Sequence, residues 1–295
     1  MRNKKGTLIY QAMLKIVLFT LTLTIVIPFL NIIARSFSDP ALSQSMKGYE
    51  IIPRGFSLIN YQIILNNPYI IPSVFSSLFI TLVGTVLSIL LTMISAYALT
   101  RDNLPGKRGM MMFLILMMLF DPGLVPEYLV VKDLGLIGSR WSVILVMAVN
   151  VYYLIIMMRY FEEVPKSIYE SALIDGAGHF KMLFSIFAPL CKPGIASITM
   201  FYGVMRWNEY VRSGIYIGSI KMVPLQVVLR KFIVDGDTAT LLGASNLMTY
   251  SELSQIDYTA LTYATIIIAI IPVVIIYCFV LRFYNKDLFA GGVKE

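Results

Sequence analysis

Cysteine and histidine are nearly absent from this sequence: Cys191 and Cys278 are its two cysteines and His179 its single histidine in 295 residues. Two cysteines cannot build a disulfide framework, and one histidine cannot build a His-rich metal site, so redox and zinc chemistry are set aside. Charge is scarce too, at 14% of residues. There is no G-x-x-x-x-G-K-[ST] loop to cradle phosphates. Nor is there a nucleophile, base or metal constellation of the kind a membrane enzyme needs. Apolar residues are plentiful instead, at 58% of the chain, with a mean hydropathy of +0.76. A soluble domain usually holds about 45 to 50%, which excludes an ordinary soluble enzyme. The net charge of +7 would in a soluble domain suggest nucleic acid as partner. Here a bilayer accounts for it, because membrane proteins keep Lys and Arg on the cytoplasmic side of their spans.

Six apolar runs approach the ~20 residues needed to cross a ~30 Å hydrocarbon core. They lie at roughly Lys15 to Ala34, Ser73 to Leu99, Met110 to Val130, Trp141 to Met158, Cys191 to Tyr210 and Leu261 to Leu281. The expected fold class is therefore all-α, a polytopic membrane protein with six transmembrane helices. Arg2, Lys4 and Lys5 before the first run resemble a signal-peptide n-region, but no small-residue cleavage site follows Pro28-Phe29-Leu30, so the run reads as a retained anchor. With the N-terminus inside, the short inner segments hold Arg2, Lys4, Lys5, Lys15, Arg101, Lys107, Arg108, Arg159, Lys166, Lys181, Lys192, Arg282, Lys286 and Lys294, fourteen of the 24 basic residues. Both termini are expected in the cytoplasm. The chain then divides into a cytoplasmic N-terminus (1–14), a transmembrane domain (15–283) and a cytoplasmic tail (284–295). The long outer loops are Arg35 to Pro72 and Val211 to Ala260. The latter mixes Lys221, Arg230, Lys231, Asp235, Asp237, Glu252 and Asp257 and is expected to meet an external partner.

The third run is interrupted by Asp121-Pro122-Gly123. Either its helix ends at Phe120 and the rest lies at the outer interface, or a broken helix lines a watery path, since lipid cannot satisfy freed backbone groups. The inner loop from Arg159 to Pro189 is too long for a plain connection of about 2 to 8 residues. Pro165 sits where a helix can begin, Gly176 and Gly178 permit a sharp turn, and Phe180, Leu183, Phe184 and Phe187 give the next stretch an apolar face.

Within that loop, Glu170-Ser171-Ala172, Asp175-Gly176-Ala177, then Phe184, Ile186 and Pro189 resemble the EAA loop of permease subunits from binding-protein-dependent ABC importers. That consensus is Glu-Ala-Ala, three residues, Gly, nine residues, then Ile, one residue, Leu and Pro. The Glu, second Ala, Gly, Ile and Pro stand at the right spacing; Ser171 replaces the first Ala and Ala188 the Leu. Trp207-Asn208-Glu209-Tyr210, Ala96-Tyr97-Ala98-Leu99 before Arg101, the region Asp121 to Gly135, and the tail from Arg282 to Lys294 are similar to carbohydrate-importing members, and most like the smaller, six-span partner of a heterodimeric pair.

The resemblance implies that the loop at about 162–190 forms a cytoplasmic coupling helix docking in a cleft of an ATPase subunit. Glu170, Ser171, Ala172, Ile174, Asp175, Gly176, Ala177, Gly178, Leu183, Phe184, Ile186 and Pro189 would carry that role, with Glu170 and Asp175 as polar anchors and Ile174, Leu183 and Phe184 as apolar ones. It implies a second permease, two ATPase subunits, a solute-binding protein outside, membrane lipid, and a carbohydrate as cargo. No cofactor is expected on this chain; ATP and Mg belong to the ATPases. Aromatic faces and amides near mid-membrane suit a sugar, which makes Asn150, Tyr152, Tyr153, Tyr202, Trp207, Asn208 and Glu209 the candidates for a substrate path. Trp and Tyr near span ends are equally an aromatic belt. Arg206 and Glu209, at i and i+3, read as a local ion pair. The alternative is a secondary transporter or channel subunit with no ATPase, which would usually show matching interrupted halves.

Overall fold

The structure is a computed structural model that describes residues 4–237 and 256–288. Among them every named element is helical, apart from one isolated bridge between Ser38 and Phe56. Three helices are long and apolar enough to cross a bilayer unbroken: Tyr10–Ser36, Ile70–Thr100 and Tyr258–Tyr277. The third and fourth apolar runs are not single rods but bent pairs, Lys107–Leu119 with Leu124–Asp133 (118°) and Arg140–Val146 with Val151–Glu162 (50°). The fifth holds the single helix Lys192–Trp207, which makes a third bent pair (91°) with His179–Leu190 from the loop before it. Counting each pair as one crossing gives up to six.

The chain divides into two compact units. One comprises Met1–Ile71 and Leu229–Ile270. Its first helix, Lys4–Ser36, carries Thr20, Thr22 and Thr24, whose hydroxyls donate to the carbonyls of Ile16, Leu18 and Thr20. Bonding back along the helix spares these groups an unsatisfied donor in lipid. At the far end Asn31 donates to the carbonyls of Lys47 and Glu50, and buried Asn60 donates to those of Ser36 and Ser38. Arg35 grips Asp257 through Nε (2.9 Å) and Nη2 (3.2 Å), so the first helix is tied to the start of the last, Tyr258–Leu288. Ser43 Oγ and the backbone N–H of Thr259 also donate to Asp257.

The other unit comprises Pro72–Val228 and Ile271–Glu295. The break in the third run is built by Asp121, whose carboxylate accepts from the N–H of Gly123, itself at φ 80°. Both readings of that run placed a break there. Beyond it Glu127 accepts from Arg212 Nε (2.6 Å) and Nη2 (3.0 Å) and from the Tyr216 hydroxyl, fixing Leu124–Asp133 to the short helix Val211–Tyr216. Val211–Tyr216 and the amphipathic Leu225–Ile233 give helical structure to part of the outer stretch from Val211 to Ala260. Residues 238–255 of that stretch, Glu252 among them, lie outside the described residues, as do Arg2 and the tail from Phe289 to Lys294.

Candidate functional site

The Arg159–Pro189 loop is a structured element. Its first part is the helix Lys166–Ile174, entered through Pro165. Gly176 ends it at φ 75°, its N–H bonding to the Leu173 carbonyl (3.0 Å) while Ala177 N–H reaches back to Ala172 (2.9 Å). This pair of bonds is a Schellman close, which needs a left-handed residue after the helix. The return helix, His179–Leu190, contains a wide π-turn over Met182–Phe187. Ala172, Met182, Leu183 and Phe187 are buried in one core with Met157, Met158, Phe161 and Tyr97, so the loop shares the interior of the spans. Ile186 and Ala177 pack on that core. Leu183, only 2% exposed, therefore supports the loop from within and presents nothing outward.

The outward side carries the rest. Ile174 is 87% exposed and Phe180 73%, with Leu173 and Phe184 exposed near them in sequence. Glu170, Ser171, Asp175, Gly176, Gly178 and Pro189 are exposed as well. Leu173, Ile174, Phe180 and Phe184 thus leave apolar side chains in the open on this loop.

Arg101, at the end of Ile70–Thr100, roots the loop in a way the sequence reading did not foresee. Its guanidinium lies over three rings: Tyr97 of its own helix (4.5 Å), Tyr169 of Lys166–Ile174 (4.4 Å) and Phe187 of the return helix (4.9 Å). The Tyr97 hydroxyl is 3.1 Å from His179 Nδ1 and bonds Met182 Sδ (3.4 Å). Beside it Lys166 pairs with Asp102 at 3.0 Å and holds that carboxyl below its usual range, Lys107 and Arg101 adding to the effect. A cavity of about 450 Å³ opens here, lined by Arg101, Asp102, Lys107, Lys166, Tyr169 and Glu170 among others. The signal in the sequence was the i, i+4 spacing of Tyr97 and Arg101; the other two rings are 68 and 86 residues further on.

Cation–π contacts are worth about 0.5 to 2 kcal/mol each; the two that reach the loop, on Tyr169 and Phe187, hold it by roughly 2 kcal/mol. Removing them in Arg101→Ala should speed tryptic cleavage at Lys166 and Lys181 in detergent by about thirtyfold, through easier local opening. Asp102→Asn should change it little, since the pair is solvent-exposed at both ends. Equal cleavage in Arg101→Ala and the parent would show that the cage does not anchor the loop.

The polar residues of the fourth and fifth runs divide. Asn150, Tyr153 and Tyr202 come together: the Tyr202 hydroxyl accepts from Asn150 N–H (2.9 Å) and lies 2.8 Å from Thr92 Oγ1, and the Tyr153 and Tyr202 rings meet edge-on at 4.9 Å. The Asn150 side chain caps Val151–Glu162 by accepting from Tyr153 N–H. Tyr152 stands exposed with its ring 6.0 Å from that of Tyr153. Trp207 is buried, and Asn208 turns its amide back to the Val204 carbonyl. Glu209 accepts from the N–H groups of Arg212 and Ser213 and from Ser213 Oγ, so it caps Val211–Tyr216. The expected Arg206–Glu209 pair is not formed. Arg206 points the other way, into the interior against Ser88, Ile144 and Met147, because Glu209 already faces the start of the next helix.

No group of three or more His, Cys, Asp or Glu side chains suited to a metal occurs among the described residues.

Comparison with known proteins joins these observations. Residues 108–289 match the family described as binding-protein-dependent transport system inner membrane component. The polygalacturonan/rhamnogalacturonan transport system permease protein YtcP of Bacillus subtilis is 36% identical over 94% of this chain and 95% of its own length. Protein LplC of the same organism is 35% identical over 91% and 89%. A chain of a bacterial ABC transporter involved in the import of the acidic polysaccharide alginate shares the fold, with a TM-score of 0.85 and 28% identity, covering 96% of this chain and 98% of that one. Family membership carries a multi-pass membrane location and, as partners, an ATPase and a solute-binding protein, and it sets aside the secondary-transporter alternative. The chain belongs to the binding-protein-dependent transport system inner membrane component family and is a permease subunit of an ABC importer.

Proposed function

We propose that the chain forms half of the translocation path for an oligosaccharide, paired with a second permease and with both termini in the cytoplasm, and that the helix Lys166–Ile174 is its coupling element to an ATPase. Two ATPase subunits, one per permease, would then hold ATP and Mg. The observation that carries the coupling role is the exposed apolar face of Leu173, Ile174, Phe180 and Phe184 on a loop whose other side is built into the core. Glu170 and Asp175 flank that face as polar anchors. The saccharide reading draws on the relatives, one named for polygalacturonan and rhamnogalacturonan and one importing alginate. Asn150, Tyr152 and Tyr153, at the start of the inner half of the fourth run, offer the amide and ring faces such a cargo would meet.

The test is reconstitution in proteoliposomes of the complex purified with its partners and loaded binding protein. ATP-dependent uptake of labelled oligogalacturonides, with neutral maltodextrins as the comparison arm, is expected for at least one class. Hydrolysis of ATP without uptake of either would overturn the saccharide assignment. Reporter fusions after Asn3 and after Lys286 should both read as cytoplasmic, and an external signal from both would overturn the topology.

A further inference from the structure

Arg206 is 1% exposed inside an apolar span, where an ionised side chain is costly and marks a functional position. It makes no ion pair among the described residues. One of its nitrogens, Nη2, instead donates to three acceptors: Ser88 Oγ (2.7 Å), the Met147 carbonyl (2.8 Å) and the Ile144 carbonyl (3.1 Å). The Ile144 carbonyl lies in the last turn of Arg140–Val146 and the Met147 carbonyl on its C-cap, where Ser88 Oγ also donates to it (3.3 Å), immediately before the chain bends by 50° into Val151–Glu162. Carbonyls at a helix end have no partner within the helix, and in a bilayer no water supplies one. One turn earlier on the same helix, Tyr202 accepts from the N–H of Asn150, on the other side of the break.

The fit is made on the opposite helix by a missing side chain. A Cβ on Gly84 would lie 2.6 Å from the guanidinium carbon of Arg206 and 2.7 Å from Nε. The Nε and Nη1 groups that face this slot have no hydrogen-bond partner. A charge kept here at such cost is poorly explained by stability alone, because an apolar side chain of similar volume would usually do as well or better.

We propose that Arg206, with Tyr202 one turn before it, is a positioning residue that holds open the break in the fourth span and so sets where Asn150 and Tyr153 stand. Arg206 secures the carbonyls before the break and Tyr202 the amide after it. Both sit on one face of Lys192–Trp207, the helix that follows the return helix of the coupling loop after a 91° bend. The inference rests on the transport reading only in taking the cargo as what the held segment meets.

Hydrogen exchange of the purified complex in detergent tests it without reference to cargo. In Arg206→Met the peptide covering residues 144–153 should exchange at least tenfold faster than in the parent, with the 166–178 peptide unchanged. Arg206→Lys, whose single ammonium can donate to the same three acceptors, should move back toward the parent. Gly84→Ala should mimic Arg206→Met although it touches neither carbonyl, and the double variant should be no worse than either single one. Should Arg206→Met fail to accumulate, Tyr202→Phe, which removes one hydroxyl, should still speed exchange at Asn150. Parent-like exchange across 144–153 in Arg206→Met, or in Tyr202→Phe where that variant decides, would overturn the proposal. In uptake assays Arg206→Met should raise KM at least fivefold with ATPase association intact, and an unchanged KM would overturn the positioning of Asn150 and Tyr153. A parent complex that takes up no saccharide would instead defeat the transport assignment and leave the exchange comparison to decide the role of Arg206.

Discussion

Gly176→Asp is expected to abolish substrate-stimulated ATP hydrolysis while the protein still inserts and accumulates. The reason is local. Gly176 stands at φ 75°, where a side chain is disfavoured by roughly 1 to 2 kcal/mol, and its two neighbouring bonds to Leu173 and Ala172 depend on that conformation. Among the described residues, no atom beyond its two chain neighbours lies within 4 Å of the position a Cβ would take, so the turn has open space around it. The damage falls on the turn itself and on whatever surface covers Ile174 and Phe180. Pull-down of the ATPase, with its stimulation by loaded binding protein, measures this. Gly176→Ala should show the backbone part alone, a weaker defect than Gly176→Asp. A Gly176→Asp complex that assembles and hydrolyses ATP like the parent would mean that this loop is not the coupling element.

Asp257→Ala should be the most destabilising of these changes. Asp257 is 4% exposed and accepts from Arg35, Ser43 Oγ and Thr259 N–H; its loss strands a guanidinium that is itself only 17% exposed. Breaking a buried pair by removing one partner costs about 3 to 5 kcal/mol. For a chain of this size that is on the order of 5 to 10 °C in Tm. Thermal unfolding in detergent checks it, and a shift under 2 °C would refute the estimate. Acid should act in the same direction. Burial alone would raise the carboxyl, but the bonds from Arg35 and Ser43, the charge of Arg35 and a backbone contact outweigh it, leaving the group below its ordinary value of 3.8. A depressed acid contributes stability above its unfolded value and loses it as pH falls through the folded one. The pair's contribution should therefore be complete at neutral pH and vanish only below pH 3.8.

The apolar runs were legible because lipid demands length and hydropathy, and both are written locally. The spacing of Glu170, Ala172, Gly176, Ile186 and Pro189 was legible for a related reason, since a turn that must close at one residue fixes that residue's type. The breaks were less so. Asp121-Pro122-Gly123 announced itself through its composition, but Met147 to Asn150 holds no proline or glycine, and its bend is upheld by Arg206 and Tyr202 from more than 50 positions away. The same distance hid the Arg101 cage and the grip of Arg212 and Tyr216 on Glu127. Arg206 was read as pairing with Glu209 because adjacency on one helix was all the sequence offered, whereas the slot that receives it is an empty place at Gly84.

The three bent pairs also change how the chain would bear a load. An unbroken helix such as Ile70–Thr100 is stiff along its length and passes a push from one end to the other. Residues 120–123, 147–150 and 191 are instead articulations, where the helix axis turns by 118°, 50° and 91°. All three fall between 107 and 207, nearly all of that stretch inside the 108–289 segment that defines the family. Hydropathy counts crossings, but the mechanical unit is a strut with a joint in it: force applied at Lys166–Ile174 meets one of these joints on either side along the chain, while the Arg101 cage passes it straight to the unbroken rod Ile70–Thr100.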